Sequence, residues 1–475
     1  MSRGIVYSVI SQAFLILGAY IIHVYLARIL GPAKYGIFGI CIALITICHV
    51  FLSSGVRQVV SKSVTGHPES AKYFLNKGIL IQISISSLLG LFVVTFSNNI
   101  AYFFGDMGLE KPLYLSATII VMQSLFVAYM GVLNGLKRFG AENVLMCTYS
   151  VVRTFAAIIL VYLGMGVLGG LSGFLIASIV AIILGIILTK DFPSQKHTTI
   201  KFGNMLKSSV PVIVIFSAFT FIMNVDLLAV KYFVRGDEFT GYYTSAAAIS
   251  QLTYRLLIAF GVVLFPFVSS SFHRNNVEQT RKYIREVIRY SSLVVLPVVI
   301  LFYLYANDIV LLIYGSDYHF ASAILKMLVW GLLFLGFASI CSHVMIGIEK
   351  DKVMVRYALL GILFSLAANL ILVPRVGVLG GAISTTISSG IVVTLSYSYI
   401  MRHLGIYANM RSVFKVVGAL SLMLIFSYVL RNVGINFIYK AIMLYVWYFV
   451  VLILLKEIGS NDMHVMQNLV FAASK

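Results

Sequence analysis

The chain has 475 residues, 60% hydrophobic and 11% charged, with 35 Lys and Arg against 16 Asp and Glu for a formal net charge of +19. That much apolar surface, at a mean hydropathy of +0.99, exceeds what a soluble core buries, so lipid is the expected solvent. The basic residues sit in short segments between apolar runs, which excludes nucleic acid as a partner, and Cys41, Cys48, Cys147 and Cys341 lie inside apolar stretches without C-x-x-C spacing, which excludes disulfide and zinc readings.

A spanning helix needs about twenty mostly apolar residues. Windows of that kind predict an all-α membrane bundle of about fourteen spans, at 5–30, 37–60, 78–97, 113–135, 143–163, 167–189, 206–232, 241–271, 290–313, 321–347, 354–373, 378–401, 412–431 and 435–455. The first window follows a single early Arg3 and has no A-x-A cleavage site, so it reads as a span and not as a removed signal peptide. Placing the N-terminus in the cytoplasm puts most Lys and Arg on cytoplasmic segments, above all around 272–289 with Arg274, Arg281, Lys282, Arg285 and Arg289. Nine fall on the opposite side, among them Arg28, Lys34, Lys231 and Lys440. An odd number of spans would spoil this asymmetry, so both termini are expected in the cytoplasm. No loop exceeds about 20 residues, which leaves no room for a soluble catalytic domain.

The chain also repeats itself. Gly166-Val167-Leu168-Gly169-Gly170 recurs 211 residues later as Gly377-Val378-Leu379-Gly380-Gly381, and Asn134-Gly135-Leu136-Lys137 echoes Ile346-Gly347-Ile348-Glu349-Lys350. Near the start, His23 with Ala27-Arg28 lines up with Asp226 and Val230-Lys231, each 203 residues on. Six spans separate the members of each pair, so the halves run in the same membrane orientation, a parallel repeat. The expected organisation is a six-helix lobe over 1–204, a second over 205–404, and two extra helices with a cytoplasmic tail over 405–475.

A charge at mid-bilayer costs at least ~2.5–3.5 kcal/mol on insertion scales, so each needs a partner, a wet cavity or a route to the interface. Arg153 and Arg255 lie deep in the fifth and eighth spans, where either cavity lining or a structural pair would hold them. Arg255 shares a helical stripe with Thr244, Ala248 and Gln251, and Arg57 shares one with Thr46, His49 and Ser53. Arg57 is close enough to a helix end to snorkel instead. A wet cationic cavity suits a phosphate-bearing ligand, because guanidinium binds phosphate through two parallel hydrogen bonds. Asp226 reads either as an ion-coupling carboxylate or as half of a static pair, and His23 as a titrating group or as hydrogen-bonded structure. Glu142, beside Lys137 and Arg138, reads as a helix cap. Asn134, Asn224, Asn369 and Gln123 are candidates for hydrogen bonds between helices. No Walker loop, G-x-S-x-G or H-E-x-x-H is present, so no enzyme and no resident cofactor is expected, only a coupling H⁺ or Na⁺.

The segment Ala27-Arg28-Ile29-Leu30-Gly31-Pro32-Ala33-Lys34-Tyr35-Gly36 resembles the A-R-x-L-G-x-x-x-Y-G motif of the polysaccharide transporters, within the multidrug/oligosaccharidyl-lipid/polysaccharide flippase superfamily. Phe51-Leu52-Ser53-Ser54-Gly55-Val56-Arg57 resembles that family's second-span end, and Gly377-Val378-Leu379-Gly380-Gly381-Ala382 its G-x-x-G-A element. The resemblance implies two lobes around a central cavity and alternating access. It also implies transfer of a polyprenyl (di)phosphate-linked sugar from the inner to the outer leaflet of the cell membrane. Arg57, Arg153, Arg255 and Arg28 would then contact the anionic head group, Asp226 and His23 would couple to the ion, and polysaccharide polymerase or ligase proteins would be partners. Lipid II flippases cluster arginines on the first span, whereas His23 and the terminal Arg28 stand there in this chain, which favours a surface or capsular oligosaccharide. A multidrug-type exporter would want several cavity carboxylates where only Asp226 is evident. A non-transporting scaffold for polysaccharide synthesis is the remaining alternative.

Overall fold

The computed structural model describes residues 2–194, 202–406 and 410–459. Among these, all regular structure is helical: α1 Ser2–Gly66, α2 Ala71–Thr95, α3 Ser97–Phe103, α4 Glu110–Gly135, α5 Phe139–Leu160, α6 Gly166–Thr189, α7 Phe202–Phe233, α8 Asp237–His273, α9 Val277–Leu304, α10 Ala306–Tyr314, α11 Ala321–Gly347, α12 Asp351–Val376, α13 Val378–Leu404, α14 Met410–Val429 and α15 Phe437–Leu454, with short 3₁₀ and π turns between them. Twelve segments among the described residues are long and apolar enough to cross a membrane. Two of them, Phe14–Gly66 and Phe139–Thr189, run to 53 and 51 residues. Each is divided by a glycine in the left-handed region, Gly31 at φ 71° and Gly164 at φ 87°, where the chain turns and begins a new span. Counting each as two gives the fourteen spans expected from the windows.

Two stretches differ from those windows. The basic segment expected as a loop at 272–289 is helical from Val277, because the Asn276 side chain accepts the Gln279 N–H at 3.0 Å and caps α9 three turns before the apolar run begins. The ninth window, 290–313, is broken at Tyr305 (φ −103°, ψ 22°) into α9 and α10.

The described chain divides into two compact units, Met1–Ala248 with Ser365–Gly381, and Ile249–Phe364 with Ala382–Lys475. In the first, α1, α2, α4, α5 and α6 share a core that includes Val60, Phe74, Leu133, Leu145 and Ala177. Helices in lipid gain little from apolar burial and associate by close packing of small residues. Accordingly a Cβ on Gly173 of α6 would sit 2.6 Å from the Ala157 Cβ of α5, and one on Gly135 of α4 would sit 2.6 Å from the Ser61 carbonyl of α1. In the second unit α14 and α15 pack on α9 through Leu293, Met423, Leu444 and Tyr448.

The sequence echoes have matching backbones. At the end of α4, Leu136, Lys137 and Arg138 donate N–H groups to the carbonyls of Val132, Asn134 and Leu133. At the end of α11, Ile348, Glu349 and Lys350 donate to those of Val344, Ile346 and Met345. Lys137 (φ 57°) and Glu349 (φ 58°) occupy the same left-handed position in these helix-ending turns. Gly166 and Gly377 both take positive φ. A Cβ on Gly169 would strike the Leu160 carbonyl, and one on Gly380 the Leu372 carbonyl, so each repeat closes its last helix pair by the same backbone contact.

Candidate functional site

Arg57 lies in the second half of α1, nine residues before its end, on a turn whose neighbours Gly55 and Val56 are buried. Its Nη2 donates to Glu142 Oε1 of α5 at 2.5 Å, and the Arg57 side chain is 36% exposed against 7% for Glu142. The other carboxylate oxygen accepts from Asn134 Nδ2 at 2.9 Å, and Asn134 Oδ1 accepts from Ser61 Oγ at 2.9 Å. Glu142 is therefore not a helix cap. It is the fourth residue of α5, past the N-cap at Arg138, and its side chain turns inward to neutralise a cation on α1. Burial explains the preference: a carboxylate with two donors is far cheaper to keep away from water than one alone.

Arg153 is 8% exposed on α5. Its guanidinium lies 5.5 Å from the Tyr149 ring centroid and 5.2 Å from that of Phe174, and its Nη2 donates to the Leu15 carbonyl at 3.4 Å. Aromatic faces and a backbone oxygen thus support this charge inside the helix packing. Arg255, in the other unit, stands at the middle of α8; it is half-buried and forms no ion pair among the described residues. Along its stripe, Thr244 and Ala248 are buried while Gln251 and Arg255 are partly open. Arg28 is exposed at the end of the first half of α1.

The two ion-coupling candidates each meet a tyrosine of the following helical segment. Asp226 of α7 is 1% exposed, and its carboxylate accepts from the Tyr243 hydroxyl and, at 2.7 Å, from the Leu227 N–H. His23 Nδ1 hydrogen-bonds the Tyr35 hydroxyl at 2.7 Å, with the imidazole edge-on to Tyr35 and Phe38. Of the four amide candidates, Asn134 and Gln123 bond between helices, Gln123 Nε2 donating to the Tyr149 hydroxyl at 2.7 Å. Asn224 and Asn369 instead donate to carbonyls one turn back in their own helices, Thr220 and Ser365.

Two charge clusters escaped the sequence reading. Lys231, its side chain 4% exposed at the end of α7, contacts Asp106 at 2.6 Å and Asp237 at 2.8 Å. Glu457, just after α15, is bonded by Arg289 Nε at 2.8 Å and by the Ser412 hydroxyl, with Lys415 at 3.5 Å. Apart from Lys231 and Asp237, the partners are far apart in sequence, where spacing carries no pairing signal.

Fold and site together define a polytopic α-helical membrane protein with cationic side chains placed inside its spans. The family model described as "Polysaccharide biosynthesis protein" matches residues 25–323, more than half of the chain, and the protein belongs to that family. It is 23% identical over 377 residues to the probable low-salt glycan biosynthesis flippase Agl15 of Haloferax volcanii, covering 79% of this chain and 78% of that one. It is 22% identical over 387 residues to a putative O-antigen transporter of Shigella flexneri, covering 76% and 88%. Among solved structures, the lipid II flippase MurJ in an inward closed conformation superposes with a TM-score of 0.77 at 19% identity over 97% of this chain and 99% of its own. An inward-facing multidrug resistance MATE family transporter gives 0.66 at 14% over 85% and 98%. At these identities the structural likeness establishes the fold.

Proposed function

We propose that this protein is a flippase that moves a polyprenyl (di)phosphate-linked oligosaccharide from the inner to the outer leaflet of the cell membrane, with both termini in the cytoplasm. The observation that carries the reading is the cationic balance within the spans of a chain of this family. Arg255 stands at mid-helix with no ion pair among the described residues, while Asp226 and Glu142, the carboxylates buried on helices α7 and α5, are already taken up by Tyr243 and Arg57. An anionic diphosphate offsets the desolvation of such a guanidinium, and a cationic drug would add to it. The flippase and transporter names of its relatives support the same class of cargo.

On this reading the repeats 1–204 and 205–404 act as the two lobes of an alternating-access cycle. Arg57, Arg255 and Arg28, none of them buried, meet the head group, and Arg153 stiffens the wall behind it. Asp226, and less directly His23, couple the cycle to H⁺ or Na⁺. Polymerase or ligase proteins receive the product. Reconstituted protein should transfer a defined lipid-linked oligosaccharide across proteoliposomes, and Arg57→Ala and Arg255→Ala should slow that transfer. Export of cationic compounds without any saccharide transfer would overturn the reading in favour of the multidrug class. Transfer at wild-type rate in the double Arg57→Ala/Arg255→Ala variant would remove these residues from it.

A further inference from the structure

The first unit contains a contact between the two repeats that has the form of something made to part. Pro32–Gly39 of α1 runs against Asp237–Thr244 of α8 so closely that a Cβ on Gly36 would lie 2.9 Å from the Gly241 N, and one on Gly241 would collide with the Pro32 backbone. A Cβ on Gly39 would likewise collide with the Thr244 side chain. Backbone meets backbone here, at Gly36 and at Gly241. The Tyr20 hydroxyl donates to the Ala248 carbonyl at 2.9 Å beyond it. At the near end, Lys231 of the second repeat reaches across to Asp106 in the turn before α4 of the first.

That ion pair is poorly suited to holding a static structure. With the Lys231 side chain 4% exposed and that of Asp106 12% exposed, desolvation consumes most of the attraction between them, and a buried pair of this kind specifies an arrangement more than it stabilises one. Each partner also keeps a bond of its own if the seam opens. Lys231 retains Asp237 at 2.8 Å, which is 61% exposed at the start of α8 and belongs to the same repeat. Asp106 retains the Gly108 N–H, which donates to its Oδ1 at 2.9 Å. Separation therefore leaves neither charge stranded. We propose that Lys231, Asp106 and Asp237 form a releasable latch that closes the extracytoplasmic gate of the transport path. Lys231 passes from shared to sole pairing with Asp237 when the repeats part.

The latch rests on the transport reading, but its test needs no saccharide. Thr244, buried beneath Gly39, is replaced by Cys in protein whose four native cysteines are removed, and labelling by a membrane-impermeant maleimide is followed in nanodiscs. Lys231→Ala should raise the labelling rate about tenfold, as the open population grows by the loss of one buried pair. Asp106→Asn should do the same, and the exchange Lys231→Asp with Asp106→Lys should return it toward the parent value. Asp237→Asn, at an exposed site, should fold normally and raise labelling less, because the cross-seam bond survives. Unchanged labelling in folded Lys231→Ala and Asp106→Asn protein would overturn the latch. So would an exchange variant that labels as fast as the single ones. Absence of saccharide transfer by the parent protein would overturn the cargo and leave these labelling ratios standing.

Discussion

Glu142→Ala tests the reasoning about Arg57 most directly. Breaking a fully buried ion pair from one side costs about 3–5 kcal/mol, whereas exposed pairs contribute about 0–1 kcal/mol. Glu142 is 7% exposed but Arg57 is 36% exposed, so a guanidinium left alone can draw in water, and the ion-pair part should come to about 2 kcal/mol. The Asn134 amide also loses the oxygen it donates to at 2.9 Å, which adds about 1 kcal/mol. Glu142→Ala should therefore destabilise by about 3 kcal/mol and Arg57→Ala by about 2 kcal/mol. The double variant should fall short of their sum by about 2 kcal/mol, because the second deletion removes a charge already unpaired. Equilibrium unfolding in mixed micelles over the four proteins gives the coupling energy. Additive single effects would mean that the contact contributes nothing, and the assignment of Glu142 as the neutralising partner of Arg57 would be wrong.

Gly135→Ala, whose new Cβ would sit 2.6 Å from the Ser61 carbonyl, should lower stability by about 1–3 kcal/mol. Its repeat counterpart Gly347→Ala, 3.0 Å from a Val268 methyl, should cost less, and Gly418→Ala, with nothing within 4 Å, should be neutral or slightly stabilising; thermal unfolding in detergent ranks the three. Arg153→Ala should cost about 2 kcal/mol through its two aromatic contacts and its carbonyl, while Arg255→Ala should leave unfolding unchanged and slow saccharide transfer in proteoliposomes. Tyr243→Phe removes a donor from the buried Asp226 carboxylate and should destabilise by about 1–3 kcal/mol. Asp226→Asn should keep its contact with Tyr243 and abolish the dependence of transfer on H⁺ or Na⁺, measured by varying each ion separately.

The spans were legible because twenty apolar residues have one reading in lipid, and the helix-ending turns because Gly135 and Gly347 precede the same left-handed step. The cap of α9 was hidden by the density of charge after Asn276, which looks like a loop when charge alone is weighed. The arginines could be found by composition but their surroundings could not. Arg153 and Arg255 are alike in sequence, each deep in a span, yet one is enclosed by Tyr149 and Phe174 and the other is half-open without an ion pair among the described residues. Which rings or carboxylates stand opposite a side chain is set by the rotation of neighbouring helices, and periodicity within one helix does not report it. Glu142 shows the same limit, since its place near a helix start fits a cap and only the approach of α1 draws it to Arg57.

The repeat explains where charge was allowed to settle. Val64 and Val268 lie beneath Gly135 and Gly347 in the two halves, and the same spacing carries Arg57 onto Gly261. In the first half a Cβ on Gly131 of α4 would lie 2.9 Å from the Arg57 carbonyl of α1, so backbone approaches backbone there. In the second half the roles are exchanged: Gly261 of α8 makes room for His343 of α11, whose Nδ1 would lie 2.8 Å from an added Cβ. The crossing is close in both halves while its chemistry differs, a glycine allowing the approach each time. His343 then bonds the Ser339 carbonyl within its own helix at 2.7 Å, whereas Arg57 projects far enough to remain partly open. The ion pair at this crossing, Arg57 with Glu142, is therefore a feature of the first half, and the matching position in the second half is a glycine, Gly261.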